Sequence, residues 1–179
     1  MLGADFPLLA FSHCRDVVAA VSKAGGFGVF GAAGYTPEEL EVELRWIDAH
    51  IDGRPYGVDL LIPENLTLRT GPGATVGDLL GQISDRHRGF VHDLLTRHGV
   101  DPARPLENRR RDDPDRPLPY QRDTGERLMD VAFRHPIRLI ANALGVPPLS
   151  MLERARAAGI PCAALVGAHE HAVRQVEAG

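Results

Sequence analysis

Apolar and polar positions along this 179-residue chain follow two alternating rhythms. Short apolar runs of strand length occur at Pro7–Phe11, Phe27–Phe30, Tyr56–Ile62, Ile137–Asn142 and Ile160–Val166. Between and after them lie stretches with apolar residues at helical spacing: Asp16–Ala24, the segment after Thr36, Gly125–Phe133, Pro148–Ala158 and His169–Ala178. The second helix is the best marked. Thr36-Pro37-Glu38-Glu39 places Thr at the N-cap, Pro in the first turn and Glu at N3, a capping box. Leu40, Leu44 and Ile47 then recur on one face, and Asp52-Gly53 ends the helix. Gly159 stands where the helix over 148–158 needs a C′ residue. The order βαβαβ, an interruption, then αβαβα predicts a parallel sheet with flanking helices, either an open doubly wound sheet or a barrel.

The interruption covers residues 63–123. It opens with a Gly/Pro/Thr loop at Thr70–Thr75, holds one helix between Ile83 and His98 with Phe90, Leu94 and Leu95 on one side, and continues through the Pro/Arg/Asp-rich run Asp101–Gln121. That run is too polar to bury a core. Because the strand–helix rhythm resumes afterwards, the segment reads as an insertion within one domain spanning 1–179.

Composition narrows the class. Hydrophobic residues make up 44% and charged residues 25%, a globular profile. A net charge of −4 offers no electrostatic case for nucleic acid or an anionic membrane as partner. The apolar runs fall far short of a membrane span, and Asp5 stands where a secretory leader would be basic. The two cysteines, Cys14 and Cys162, are expected at opposite ends of the sheet, reduced, in a cytoplasmic protein.

Candidate chemistry gathers at strand ends. In parallel α/β folds, ligands sit at the carboxyl ends of the strands. Ser12-His13-Cys14 falls at such an end and reads as a polar lip for a ligand; neighbours in a turn rarely face one another as a nucleophile and its base would have to. Asp59 is a polar group in an apolar strand, and a buried carboxyl needs a partner, so it is expected near the strand's carboxyl end facing the site. Asn142, near the end of the fourth strand, invites the same reading. Gly26-Phe-Gly28-Val-Phe-Gly31 matches G-x-G-x-x-G, but it follows a helix and runs through a strand, the reverse of the dinucleotide context. Its glycines are expected to cap the first helix and to allow close packing. His169 and His171 lie two apart on a helix and diverge, so no metal is expected. Arg109-Arg110-Arg111 beside Asp112-Asp113 reads as a solvated charge run. His50, His87, His92, His98 and His135 read as surface residues.

The stretch PLLAFSHCRDVVAAVSKAGGFGVFGAAGYTPEEL, and AVSKAGGFGVFGA above all, resembles the nitronate monooxygenase family; GVDLLIP, HPIRLIANALGVPP and ERARAAGIPCAALVGAHEHAVRQVEAG resemble its later units. The resemblance implies a (β/α)₈ barrel that binds FMN and oxidises alkyl nitronates with molecular oxygen. It implies cofactor contacts from Ala10, Phe11, Ser12, Asp59, Val166 and Gly167, with His13 and Asn142 toward the substrate. Asp59 stands where the family often has Asn, which removes an amide donor and adds a charge when ionised. The glycine-rich loop with the family's catalytic histidine, and the loops that bind the FMN phosphate, would lie beyond residue 179. The chain therefore reads as about five of eight βα units, the N-terminal part of such a barrel. Two rival expectations stand beside it: a related flavin-dependent enoyl-acyl-carrier-protein reductase, and an inactive partial barrel that associates through exposed strand edges.

Overall fold

The computed structural model describes residues 2–63, 75–103, 115 and 122–179. Most of the loop expected at 70–75, and the charged run 104–121 apart from Asp115, lie outside the described residues. The chain divides into two compact units, Met1–Leu66 with Pro119–Gly179, and Thr67–Leu118.

The first unit is a five-stranded parallel sheet. Its strands are β1 (Leu9–Ser12), β2 (Phe27–Gly31), β3 (Tyr56–Leu60), β4 (Leu139–Asn142) and β5 (Cys162–Ala164), in the spatial order β1-β2-β3-β4-β5. Every strand lies beside its neighbour in sequence. A doubly wound sheet reverses its strand order at a switch point, and this one does not. The winding is that of a barrel whose sheet is open.

The helices of this unit are α1 (Arg15–Lys23), α2 (Pro37–His50), α5 (Arg122–Ala132), α6 (Leu149–Ala158) and α7 (His169–Ala178). Side chains alternate across a strand, so each face of the sheet has its own residues. Phe30, Tyr56, Val58, Leu60 and Ile140 share one core with Val18 of α1, Leu40, Leu44 and Ile47 of α2, Leu128, Met129 and Val131 of α5, and Met151 of α6. A fully buried Leu or Ile of this kind contributes about 1.5–3 kcal/mol. The opposite face carries a smaller cluster, Phe27, Val29 and Leu139, with Leu2, Ala4 and Ala163 packed on it. Leu9 and Phe11, in register with Phe27 and Val29, leave that inner face 56% and 55% exposed at the β1 edge.

The Thr36 box forms as expected: Glu39 N donates to Thr36 Oγ1 at 3.2 Å, and Thr36 N donates to Glu39 Oε2 at 2.8 Å. Strand β5 is shorter than its apolar run. Pro161 has no N–H for the ladder, and only its carbonyl joins, accepting from Ile140 N at 3.1 Å. Helix α5 begins at Arg122, three residues before the expected Gly125. Cys14 and Cys162 are free, the first following β1 and the second opening β5, at opposite ends of a parallel sheet.

One surface assignment is corrected. The His135 side chain is 6% exposed, with Nδ1 2.6 Å from Asp48 Oδ2 and Nε2 3.5 Å from Glu41 Oε2. Tyr56 Oη donates to the other Asp48 oxygen at 2.7 Å. His135 therefore ties the end of α5 to α2, and its partners lie too far away in sequence to be read from local pattern.

The second unit contains α3 (Val76–Gly81) and α4 (Asp85–Arg97). Helix α4 matches the expected one. Helix α3 was not expected, although Thr75 and Asp78 form a capping box, with Thr75 N donating to Asp78 Oδ2 at 2.8 Å. Among the described residues no helix is long and apolar enough to cross a membrane.

Candidate functional site

The carboxyl ends of β1, β2 and β3 bring three of the expected residues together on the inner face. Phe11 is in register with Val29, and Gly31 with Asp59. His13, two residues after Phe11, turns its ring over Gly31. A Cβ on Gly31 would stand 2.5 Å from Phe11 Cζ and 2.7 Å from both His13 Cε1 and Nδ1, so only glycine leaves room for these two rings. Phe11 and His13 meet edge to face, 5.0 Å between centroids and 82° between planes. His13 Nδ1 lies 2.8 Å from the carbonyl oxygen of Gly31, and Tyr35 Oη donates to the His13 carbonyl at 3.1 Å.

Asp59 is 7% exposed, and its Oδ1 is buried with no hydrogen-bond partner. An unsatisfied buried acceptor is costly and marks a place where a donor belongs. Burial pushes its carboxyl up to about 6, and the neighbouring His13 opposes the rise. A carboxyl that titrates near neutrality beside an imidazole is a common mark of a functional site.

Other expected residues take different positions. Ala10 and Ser12 are in register with Gly28 and Phe30, on the helix-facing side of the sheet. Ser12 Oγ accepts from Cys14 N at 3.0 Å, closing the turn into α1. Asn142 faces the helices too. It follows Ala141, the β4 partner of Asp59, so its side chain takes the other face. It is fully buried; Oδ1 accepts from Ile62 N at 2.9 Å, and Nδ2 donates to Ile62 O at 3.0 Å and Gly145 O at 3.4 Å. Its amide holds two loops rather than reaching toward a ligand.

Val166 and Gly167 line a groove of about 770 Å³ at the carboxyl ends of β4 and β5, together with Gly145, His171, Arg174 and Gln175. Gln175 Oε1 is buried there without a partner. A second cavity, about 700 Å³, lies at the amino ends of the strands against Arg54, Tyr56, His135 and Arg138. Ligands of barrel folds bind at the carboxyl ends, which selects the first group. Among the described residues no three His, Cys, Asp or Glu side chains cluster as metal ligands.

Sequence reasoning missed Gly31 and Tyr35, which shape and pin His13, and the α7 residues of the groove. Gly31 was visible only as the last glycine of G-x-G-x-x-G. In that motif Gly26 N donates to Val21 O at 3.1 Å, ending α1, and Gly28 lets the Val18 carbonyl approach β2. None of the three glycines opens a helix.

An open parallel sheet wound as a barrel, with a carboxyl, an imidazole and an apolar ring meeting at its carboxyl end, defines an α/β ligand-binding class. Within it, the family model for nitronate monooxygenase matches residues 12–179, and the chain belongs to that family. It is 48% identical over its whole length to a Mycobacterium tuberculosis protein carrying a monooxygenase name, Rv1533, and spans 47% of that protein. A Staphylococcus saprophyticus protein named for nitronate monooxygenase activity is 33% identical over 69 residues, 36% of this chain and 19% of that protein. The chain thus covers about half or less of these relatives. Among solved structures, nitroalkane oxidase from Streptomyces ansochromogenes superposes with a TM-score of 0.62 at 20% identity, covering 98% of this chain and 43% of that one. FabK from Thermotoga maritima superposes at 0.58 and 16%, covering 99% and 39%. At such identities the two structures establish likeness of fold.

Proposed function

We propose that the protein of which this chain is part, or the whole of, binds FMN and oxidises alkyl nitronates with molecular oxygen. Family membership supports the reaction class, and one observation carries the location: the orphaned, buried Oδ1 of Asp59 beside Phe11 and His13 on a sheet face that no helix covers.

The residues present fit the cofactor. FMN offers ring N–H and ribityl hydroxyl donors, and Asp59 Oδ1 is an acceptor in need of one. Phe11 offers an apolar surface for an aromatic ring system. Val166 and Gly167 would extend the contact along the β5 loop. Bound FMN supplies the electron acceptor and the centre that reacts with oxygen. The protein orients the substrate against it, shields the site through Phe11 and Val29, and holds protons at Asp59 and His13.

The test is to add FMN to the protein and mix it, without oxygen, with propionate 3-nitronate. Rapid bleaching of the flavin, reversed when oxygen is admitted, supports the reading. Bleaching by NADH but not by the nitronate would replace it with the enoyl-reductase alternative.

A further inference from the structure

We infer that His13 Nε2 is a base of this site, able to take a proton from the carbon next to a nitro group and so to admit neutral nitroalkanes as substrates. This rests on the proposed nitronate chemistry and extends it to a second substrate class.

The argument begins with the hydrogen bond at Nδ1. A carbonyl oxygen only accepts, so the 2.8 Å contact with Gly31 O requires the proton on Nδ1. The neutral imidazole then carries its lone pair on Nε2. Three further contacts hold the ring in place: the Phe11 edge at 5.0 Å, the bare Cα of Gly31 beneath it, and the Tyr35 hydroxyl on the His13 carbonyl. No hydrogen bond among the described residues occupies Nε2.

Asp59 supplies the second half. It is the register partner of Gly31, over which the imidazole lies, and it interacts electrostatically with His13. When Nε2 accepts a proton the ring becomes a cation, and an ionised Asp59 stabilises it. The step balances by itself. The C–H bond breaks, an Nε2–H bond forms, and the electron pair moves onto the nitro group to leave a nitronate anion. No oxidant is consumed, and the nitronate is the substrate already proposed. This base belongs to the β1 loop and is distinct from the histidine that the family resemblance places beyond residue 179.

Two measurements test it. In the ligand-free protein, ¹⁵N shifts of labelled histidine should show His13 as the Nδ1–H tautomer; an Nε2–H tautomer overturns the inference. In kinetics with FMN, His13→Asn is the informative variant, because its amide nitrogen can keep the Gly31 bond while the Nε2 lone pair is lost. The inference predicts that kcat/KM for nitroethane falls at least tenfold further than kcat/KM for ethyl nitronate. Equal losses for both substrates overturn it and leave nitronate oxidation standing. If the unaltered protein oxidises neither substrate, the functional reading fails along with it.

Discussion

The imidazole of His13 rests on Gly31, with Nδ1 2.8 Å from the glycine's carbonyl oxygen and no Cβ between them. Gly31→Ala would place a methyl group 2.5–2.7 Å from Phe11 and His13, well inside contact distance. Both rings would have to leave their positions. Overpacking of this kind destabilises by about 1–3 kcal/mol. Urea unfolding should register that loss, and the His13 Nδ1–H resonance should shift as its bond to Gly31 breaks.

Asp59 makes stability fall as pH rises. Its carboxyl titrates near 6 in the folded chain, against about 4 when unfolded. Between those values the folded state holds a proton that the unfolded state has released. The stabilisation is complete below about pH 4 and is lost as pH rises through 6. Asp59→Asn removes the effect. Relative to the unaltered protein, the variant should gain about 2 kcal/mol on going from pH 4 to pH 7.5, measured by urea unfolding at the two values.

Glu41 acts in the opposite sense. Hydrogen bonds from Arg134 and then Arg45 hold its carboxyl down to about 2. Its contribution is present above its unfolded pKa and disappears as pH falls toward 2. Glu41→Gln should therefore flatten the acid limb of the stability profile, by a modest amount because these pairs are largely solvated. Thermal melts between pH 2 and 5 would show it.

Asn142→Ala should destabilise without a marked pH dependence. The amide satisfies both the N–H and the C=O of Ile62 in a fully buried position. Removing it orphans those groups and leaves a void, for a loss of about 2–3 kcal/mol. Equilibrium unfolding checks the size. Amide exchange at Ile62 should quicken more than at Asp59, because the loop after β3 loses its tie.

The contrast between Asp59 and Asn142 shows what local pattern can and cannot reveal. All five strands were legible, because buried apolar runs bounded by Gly, Pro and Asn have few other conformations open to them. Both polar residues were visible as exceptions within those runs. Which face each one takes depends on register between strands, and one residue's step reverses it. Asp59 pairs with Ala141 on the inner face, and Asn142, one step on, falls on the helix side. His135 is a related case: its carboxylate partner Asp48 lies 87 positions away, so its side chain could only be read as exposed. The expected cluster at 12–14 was one third right in chemical terms. His13 joins Phe11 and Asp59 on the inner face, while Ser12 serves the turn into α1. Gly31 and Tyr35 act on His13 through space, and neither carries a sequence signal of doing so.

The most direct test of the central claim, that the inner face at the carboxyl ends of β1–β3 holds the flavin, is amide hydrogen exchange with and without FMN. The account predicts slowed exchange at residues 11–14, 31–33 and 59–62, with the amino-end segments 53–56 and 135–138 unchanged. Protection confined to the amino ends, or no protection where FMN is shown to bind, would contradict it.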